Sequence, residues 1–373
     1  MSNQQSLNPI LCTAFNQDNS CFAIGTSDGF RIFDCRTGKL RYERAVGAFG
    51  VVEMLFHTSL LAVVGAGEQA SLSPRRLCLF DTVTGTALRN LNFLTSILAV
   101  RLNMKRLVVV LLEKTYIYDI NSLEIVDTID TVPNVKGLCA FSPSLDGSYL
   151  ALPASKTKGS VLVYNVMELQ SHCEIDAHRS PLVAVVLSFD GMYIATASEQ
   201  GTIIRIHLVS NATESYSFRR GIYASHIYSL SFGPSMDLPD ILLASSSSGS
   251  AHVFSLKRAL NQRRKRSTTF LGSIVPDSVT DVLDPAHHHI LHGAVPTGVR
   301  SNAVIRKMDI VNDKSISANE ILRATISIIS YGGYFLEYSC SINQQNEVSW
   351  TLEREFNLLT AKAETNTTSN SRD

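Results

Sequence analysis

A unit of about forty to fifty residues recurs along this chain, and an internal repeat of that length restricts the fold more than any other feature. Each copy contains three apolar segments separated by turns, and the third segment usually ends on an aromatic residue followed by a polar one. The closing dipeptides are Phe33-Asp34, Phe80-Asp81, Tyr118-Asp119, Tyr164-Asn165, Ile206-His207 and Phe254-Ser255. Short strands repeated at this spacing are typical of the blades of a β-propeller.

A further alternating segment follows most of these dipeptides and predicts the outer strand of each blade. These segments cover 40–45, 87–93, 124–129, 173–177 and 216–219. Segments 326–342 and 347–352 predict one more blade, and we interpret 301–310 as the displaced outer strand of the sixth blade. The sequence therefore predicts an all-β fold, a seven-bladed, WD40-like β-propeller over residues 1–359, followed by a disordered tail at 360–373. The pattern leaves open how the ring is closed.

The bulk composition excludes several classes of protein. The formal net charge is zero, so no overall field attracts nucleic acid or a membrane, and electrostatic recognition has to be local. The seven cysteines are scattered without a C-x-x-C pair, which predicts neither a disulfide framework nor a zinc site. The longest apolar runs, such as 107–112, are far shorter than the ~20 residues that span a bilayer. We expect a cytoplasmic monomer without a cofactor.

Two consecutive arginines lie between two similar turn segments, 198–205 and 246–252. They belong to the stretch Phe218-Arg219-Arg220-Gly221. Adjacent residues on a strand point to opposite sides, so Arg219 and Arg220 cannot both serve one pocket. If the two turn segments belong to neighbouring blades, each blade receives one guanidinium group.

The residues around this pair have the chemistry that a phosphate on a sugar ring requires. Guanidinium, imidazole and hydroxyl groups supply charged and neutral donors to phosphate oxygens. The candidate residues are His178, Ser198, Thr202 and Arg205 on one side and His226, Ser246, Ser250 and His252 on the other. The alternative interpretation is a pair of solvated or salt-bridged arginines on an outer strand.

The segment 257–300 is a long insertion without a strand pattern, which indicates either a functional loop or disorder. It begins with a basic cluster: Lys257, Arg258, Arg263, Arg264, Lys265 and Arg266. An apolar stretch follows, and Phe270, Leu271, Ile274 and Val275 are the residues that we expect to enter a membrane surface. A solvated loop with a core-packing helix, a nuclear-import signal and a nucleic-acid contact are the alternatives.

Three motifs resemble catalytic or metal sites but lack the required context. The G-x-S-x-G match at 25–29 lies in a turn between strands, and no helix follows it. The Gly-rich segment 65–70 continues into 71–74 instead of opening a helix. Histidines 287, 288, 289 and 292 have no carboxylate or cysteine at metal-ligand spacing, which favours a loop cluster. We therefore expect a binding protein and not an enzyme.

With F-R-R-G placed between these two sets of polar residues, the chain resembles the PROPPIN family, the phosphoinositide-binding propellers of autophagy, also called WIPI proteins. The resemblance extends from residue 11 to about residue 359 and includes the long insertion in the sixth blade. It implies a seven-bladed propeller that binds phosphatidylinositol 3-phosphate and phosphatidylinositol 3,5-bisphosphate at two sites on its rim. Two features differ from the family pattern: Ser250 replaces a more common threonine, and Ser247 a common aspartate.

The resemblance also implies roles for individual residues. The first headgroup site comprises His178, Ser198, Thr202, Arg205 and Arg219, and the second comprises Arg220, His226, Ser246, Ser250 and His252. The segment Pro74-Arg75-Arg76-Leu77 resembles a family segment near the docking site of an autophagic lipid-transfer protein. The implied location is cytoplasmic, with peripheral recruitment to preautophagosomal, endosomal or vacuolar membranes. A propeller scaffold that binds acidic peptides is the alternative function.

Overall fold

The computed structural model describes residues 9–234, 241–256, 282–283, 288–312 and 320–361. The predicted membrane-entering residues Phe270, Leu271, Ile274 and Val275 lie outside this range, as do the basic cluster at 257–266 and most of the predicted tail. Within the described range the regular secondary structure consists almost entirely of strands joined by turns and loops.

Seven sheets form, antiparallel except for one short parallel pairing in blade five, which confirms the prediction of an all-β, seven-bladed propeller. Leucine, valine and alanine fill second strands such as Leu60–Gly65 and Arg106–Val110, whose side chains are mostly buried on both faces. The first three blades are built from β1 (Ile10–Phe15), β2 (Cys21–Thr26), β3 (Phe30–Asp34) and β4 (Leu40–Arg44); β5 (Phe49–Met54), β6 (Leu60–Gly65), β7 (Arg76–Asp81) and β8 (Thr86–Asn92); and β9 (Ala99–Leu102), β10 (Arg106–Val110), β11 (Lys114–Asp119) and β12 (Ile125–Asp130).

The next three blades carry the candidate site. Blades four and five consist of β13 (Ala140–Phe141), β14 (Tyr149–Pro153), β15 (Gly159–Asn165) and β16 (Gln170–His178), then β17 (Leu182–Leu187), β18 (Tyr193–Ser198), β19 (Ile203–Leu208) and β20 (Asn211–Arg219). Blade six consists of β21 (Ile227–Phe232), β22 (Ile241–Ser246), β23 (Ala251–Ser255) and β25 (His288–Leu291). The two-residue strand β24 (Val282–Leu283) runs parallel to β20 at Ser217 and Phe218 and extends the outer edge of blade five.

Blade seven corrects one prediction. It contains β26 (Ser301–Asn312), β27 (Glu320–Ser330), β28 (Tyr334–Ile342) and β29 (Val348–Asn357). The interpretation of 301–310 as the outer strand of blade six was wrong, because β26 is the first strand of blade seven and pairs with β27 along its length. The outer strand of blade six is instead β25, which lies inside the insertion that showed no strand pattern. Its four residues are too few for alternation to be visible in the sequence.

The ring closes without an exchanged strand. Apart from β24, each sheet uses strands that follow one another in the chain. The first and last blades share no strand pairing, and one backbone hydrogen bond joins them, from the Ile10 amide to the Tyr331 carbonyl at 3.4 Å. Phe22 of blade one stacks on Phe335 of blade seven, with ring centroids 5.0 Å apart. The Asn302 amide of β26 donates a hydrogen bond to the Thr13 hydroxyl of β1 at 3.2 Å. An apolar seam therefore holds the N-terminal and C-terminal blades together.

The remaining features agree with a reduced protein built on apolar packing between blades. All seven cysteines are free, and burial raises the pKa of the Cys12 and Cys340 thiols to about 12. In the described residues, no group of three or more His, Cys, Asp or Glu side chains is arranged to hold a metal ion. Over the same residues, no helix has the length and apolar character needed to cross a bilayer.

Candidate functional site

The register of blade five separates the two arginines. Arg219 pairs with Ile203, and two residues earlier Ser217 pairs with Arg205, so Ser217, Arg219 and Arg205 share one face of the sheet. Phe218 lies on the other face, buried against the core of blades five and six. Arg219 is exposed, and within the described part of the chain no hydrogen bond or ion pair joins its guanidinium to another residue. Arg220, directly after the strand, is only 8% exposed.

A first polar cluster lies where blade five faces blade four. His178, the last residue of β16, places its Nε2 3.0 Å from the hydroxyl of Thr196. The Arg205 guanidinium donates to the Ser217 hydroxyl at 3.2 Å and to the carbonyl of Ala177. Because opposite residues in a sheet share a face, the pairing of Thr196 with Arg205 places all of these side chains together.

Burial controls the charge state of this first cluster. Burial, together with the neighbouring Arg205 charge, lowers the pKa of His178 to about 4. The same two causes lower the pKa of His207 to about 4. At neutral pH the imidazoles are therefore uncharged hydrogen-bonding groups, and the positive charge of this cluster comes from Arg205 and Arg219.

The other two residues predicted here occupy the turn between β18 and β19. Ser198 is buried and lies on the same face as Thr196. Thr202 contributes its backbone, because its carbonyl accepts the Arg220 amide at 2.8 Å. Sequence reasoning did not identify Thr196, His207 or Ser217, although each lies two residues from a predicted or neighbouring member of the cluster. That period-two spacing was the available signal.

A second cluster lies where blade six faces blade five, around Arg220 and His252. Arg220 donates from Nε to the Gly201 carbonyl at 2.6 Å and from Nη2 to the carbonyl of Tyr223. His252 is buried, with its Nε2 3.3 Å from the Ser246 hydroxyl. Ser250 is also buried, and its carbonyl lies 3.4 Å from the same hydroxyl.

His226, the fifth residue predicted for this second cluster, is exposed at its border. Its backbone amide donates to the Ser247 hydroxyl at 3.0 Å, and its carbonyl accepts the Ser247 amide at 2.8 Å. Partial burial and the positive charges of Lys136 and Arg300 lower the pKa of His226. The structure thus attaches His226 to the rim of the cluster through its backbone.

His288 also belongs to the second cluster, which corrects its assignment to a loop of histidines. It lies in β25, with its Nε2 2.9 Å from Nδ1 of His252 and its ring stacked on Phe254. Burial, then the neighbouring imidazole and Arg220, lower the pKa of His252 to about 3. Burial is also the main cause that lowers the pKa of His288 to about 4. This contact has no direct signal in the sequence, because β25 follows β23 only after the long insertion.

The two clusters are built on the same plan. Each receives a cationic or imidazole side chain from the end of the preceding blade's outer strand: His178 for the first and Arg220 for the second. Each also depends on a turn glycine with positive φ, Gly201 (φ 58°) or Gly249 (φ 78°). A Cβ atom at Gly201 would lie 1.8 Å from the Ser225 carbonyl oxygen, so a side chain there would displace the next turn.

The segment around Pro74 lies on blade two, away from these clusters. The carbonyls of Pro74 and Arg75 accept the amides of Ile97 and Phe93 at 2.8 Å. The Arg76 guanidinium donates to the carbonyl of Ser71 at 2.6 Å, while the Arg75 side chain is exposed. The segment therefore presents an ordered turn with one free-standing cation, and its role in partner binding stays a prediction.

Comparison with known proteins agrees with the sequence resemblance. The PROPPIN family model matches residues 9–282. Autophagy-related protein 18b of Arabidopsis thaliana is 70% identical over 361 residues, which cover 96% of this chain and 99% of the relative. Autophagy-related protein 18 of Dictyostelium discoideum is 34% identical, with 94% of each chain covered.

Solved structures show the same fold. Hsv2 of Kluyveromyces lactis with its complete loop 6CD superposes with a TM-score of 0.71 at 20% identity, covering 94% of this chain and 99% of that one. KlAtg21, in its complex with the coiled-coil of AgAtg16, superposes with a TM-score of 0.69 at 25% identity, covering 93% and 98%. The family match also confirms the prediction of a non-enzymatic protein. The chain, with its F-R-R-G stretch between two matching blades, belongs to the PROPPIN family.

Proposed function

We propose that this protein is a peripheral membrane effector of autophagy that binds phosphatidylinositol 3-phosphate and phosphatidylinositol 3,5-bisphosphate. The observation that carries the proposal is the divergence of Arg219 and Arg220 into two similar polar clusters on neighbouring blades. Each cluster combines a guanidinium with neutral imidazoles and hydroxyls, which suits the oxygens of a phosphorylated inositol ring. The names of the relatives, autophagy-related proteins 18 and 18b, support the process.

Two clusters on one rigid ring have a consequence for affinity. A single basic residue near an anionic surface contributes only ~1 kcal/mol, too little for stable recruitment. Once one headgroup is bound, the second cluster meets its own headgroup at high effective concentration, and avidity rises by ~10²-fold or more. The first headgroup site in this proposal comprises His178, Ser198, Thr202, Arg205 and Arg219, and the second comprises Arg220, His226, Ser246, Ser250 and His252.

The insertion is proposed to add a hydrophobic anchor through Phe270, Leu271, Ile274 and Val275. Strand β24, which lies within the insertion, pairs with Ser217 and Phe218 immediately before the two arginines, so this part of the insertion lies beside the proposed headgroup sites. We also propose cytoplasmic residence, monomeric state and recruitment to preautophagosomal, endosomal or vacuolar membranes. A lipid-transfer partner is proposed to contact Pro74, Arg75 and Arg76.

A flotation experiment tests this function. We expect the protein to float with vesicles that contain phosphatidylinositol 3-phosphate or phosphatidylinositol 3,5-bisphosphate and to stay behind with phosphatidylcholine alone. Soluble inositol 1,3-bisphosphate should compete, because it presents the same phosphates without a bilayer. Competition by an acidic peptide and none by the inositol phosphate would favour a protein-binding scaffold instead.

The buried imidazoles predict how the stability of the free protein depends on pH. The folded pKa values of His178, His207, His252 and His288 are lowered to between about 3 and about 4, below the ordinary value of about 6.5. Below pH 6.5 the unfolded chain therefore binds protons that the folded chain does not, and stability falls as pH decreases towards 4. We expect each residue to contribute on the order of 1–3 kcal/mol to this loss.

Thermal melts between pH 7.5 and pH 4.5 measure this dependence. Replacing His178 with Asn should flatten the curve. Equal slopes for the wild type and His178→Asn would show that His178 is not a buried neutral group.

A further inference from the structure

The turn that follows the arginine pair exposes two large apolar side chains. Ile222 and Tyr223 are 81% and 84% exposed. In the described part of the chain, no other two consecutive large apolar residues are both exposed to this extent. Other strongly exposed apolar residues, such as Val83 on blade two, stand singly. Isolated apolar residues are ordinary on a protein surface, but an exposed pair of this kind beside charged groups requires an explanation.

Backbone contacts hold this turn at both ends. At its start, the amides of Arg220 and Gly221 donate to the Thr202 carbonyl at 2.8 and 3.4 Å. At its end, the amide of Ser225 donates to the Gln200 carbonyl at 3.3 Å, and the Ser225 hydroxyl lies 3.0 Å from that of Ser247. The anchored turn therefore directs the side chains of Ile222 and Tyr223 towards solvent, and folding does not require either side chain.

The position of this turn indicates which kind of surface it contacts. Arg219, which belongs to the first cluster, comes just before the turn. Arg220, which belongs to the second cluster, donates a hydrogen bond to the carbonyl of Tyr223 in the turn. Any anionic surface that occupies both clusters must pass over the turn that lies between them. A surface with negative charges in its plane and an apolar layer beneath them is the complement of this arrangement, and one face of a phospholipid bilayer has that composition.

The size of the apolar feature argues against a protein partner at this point. A stable protein interface covers about 800 Å² on each side, and two projecting side chains without a groove do not supply such an area. Two side chains are enough to enter the boundary between headgroups and acyl chains. Tyrosine is enriched at that depth, because its ring is apolar and its hydroxyl reaches water.

We infer that Ile222 and Tyr223 form a membrane-entering wedge between the two headgroup sites, separate from the insertion at 257–300. This inference rests on the proposed function and adds a second hydrophobic contact to it. The wedge acts on the bilayer and not on the headgroup, since Arg220 is held by the Tyr223 backbone carbonyl and not by its side chain. Substituting both side chains should thus separate membrane binding from headgroup binding.

The variant Ile222→Ser/Tyr223→Ser tests this separation. On vesicles containing phosphatidylinositol 3-phosphate we expect about tenfold weaker binding, which corresponds to ~1.4 kcal/mol. Binding of soluble inositol 1,3-bisphosphate, measured by calorimetry, should equal that of the wild type. The matched control is Val83→Ser/Leu94→Ser, which removes two apolar residues exposed by 83% and 92% on blade two and should change neither measurement.

A fluorescent probe measures directly how deeply the turn enters the bilayer. Trp350 is the single tryptophan, so Tyr223→Trp in a Trp350→Phe background has one fluorophore at the turn. Its emission should shift to the blue on adding the vesicles, and brominated acyl chains should quench it. Wild-type vesicle affinity for the serine variant, an unquenched probe, or a parallel loss of soluble headgroup binding would each overturn the wedge. A wild-type protein that ignores phosphoinositide vesicles would overturn the proposed function as well.

Discussion

Replacing Arg219 and Arg220 together with threonine is expected to abolish recruitment to vesicles that contain phosphatidylinositol 3-phosphate. Arg219→Thr removes one of the two guanidinium groups of the first cluster, and Arg220→Thr removes the guanidinium of the second. The loss of both also removes the avidity between the clusters, which amounts to ~10²-fold or more. Flotation at fixed protein concentration measures the loss. The double variant Arg36→Thr/Arg89→Thr is the matched control, because it removes two exposed arginines from blades one and two.

The single variants should differ in stability, because the two arginines differ in burial. Arg219 is exposed, so Arg219→Thr should melt like the wild type. Arg220 donates to the carbonyls of Gly201 and Tyr223, and losing hydrogen bonds from a charged donor costs about 1.5–3 kcal/mol. Arg220→Thr should therefore lower the melting temperature, and Arg220→Lys should lower it by a smaller amount. Undiminished flotation of the double variant would refute the headgroup role.

Replacing Phe22 with alanine is expected to destabilise the ring by about 3–5 kcal/mol, the usual cost of removing a buried phenylalanine. Phe22 is completely buried, and its ring stacks on Phe33 and Phe335 with centroids 5.0 Å apart in both pairs. Since blades one and seven share no strand, this stack is a main element of the closing seam. Chemical denaturation of the variant measures the loss.

The strands in which hydrogen exchange accelerates distinguish opening of the seam between blades one and seven from ordinary cavity formation. Phe30 is buried to a similar degree, but it packs between blades one and two, which the chain itself connects. Phe30→Ala should lose comparable stability. Only Phe22→Ala should accelerate hydrogen exchange selectively in β1–β4 and β27–β29. Wild-type stability of Phe22→Ala, or the same exchange pattern in both variants, would contradict closure by this seam.

The sequence was most informative where the pattern is local. Turn residues and alternating apolar segments predicted seven blades, and the outer strands at 40–45, 87–93, 124–129, 173–177 and 216–219 match β4, β8, β12, β16 and β20. Alternation along one strand also predicted that Arg219 and Arg220 would diverge. The error at 301–310 arose because a single strand cannot indicate which of two blades it joins.

What the sequence by itself determined was the number of blades, the paired polar turns and the opposed arginines, because these follow from strand periodicity and turn chemistry over a few residues. Only the tertiary structure decided the assignment of β25 and β26, the partnership of His252 with His288, and closure by the Phe22 seam. These depend on residues far apart in the chain: the two histidines are separated by 36 positions. Such contacts form because burial selects among many possible pairings, and that selection has no local signature in the sequence.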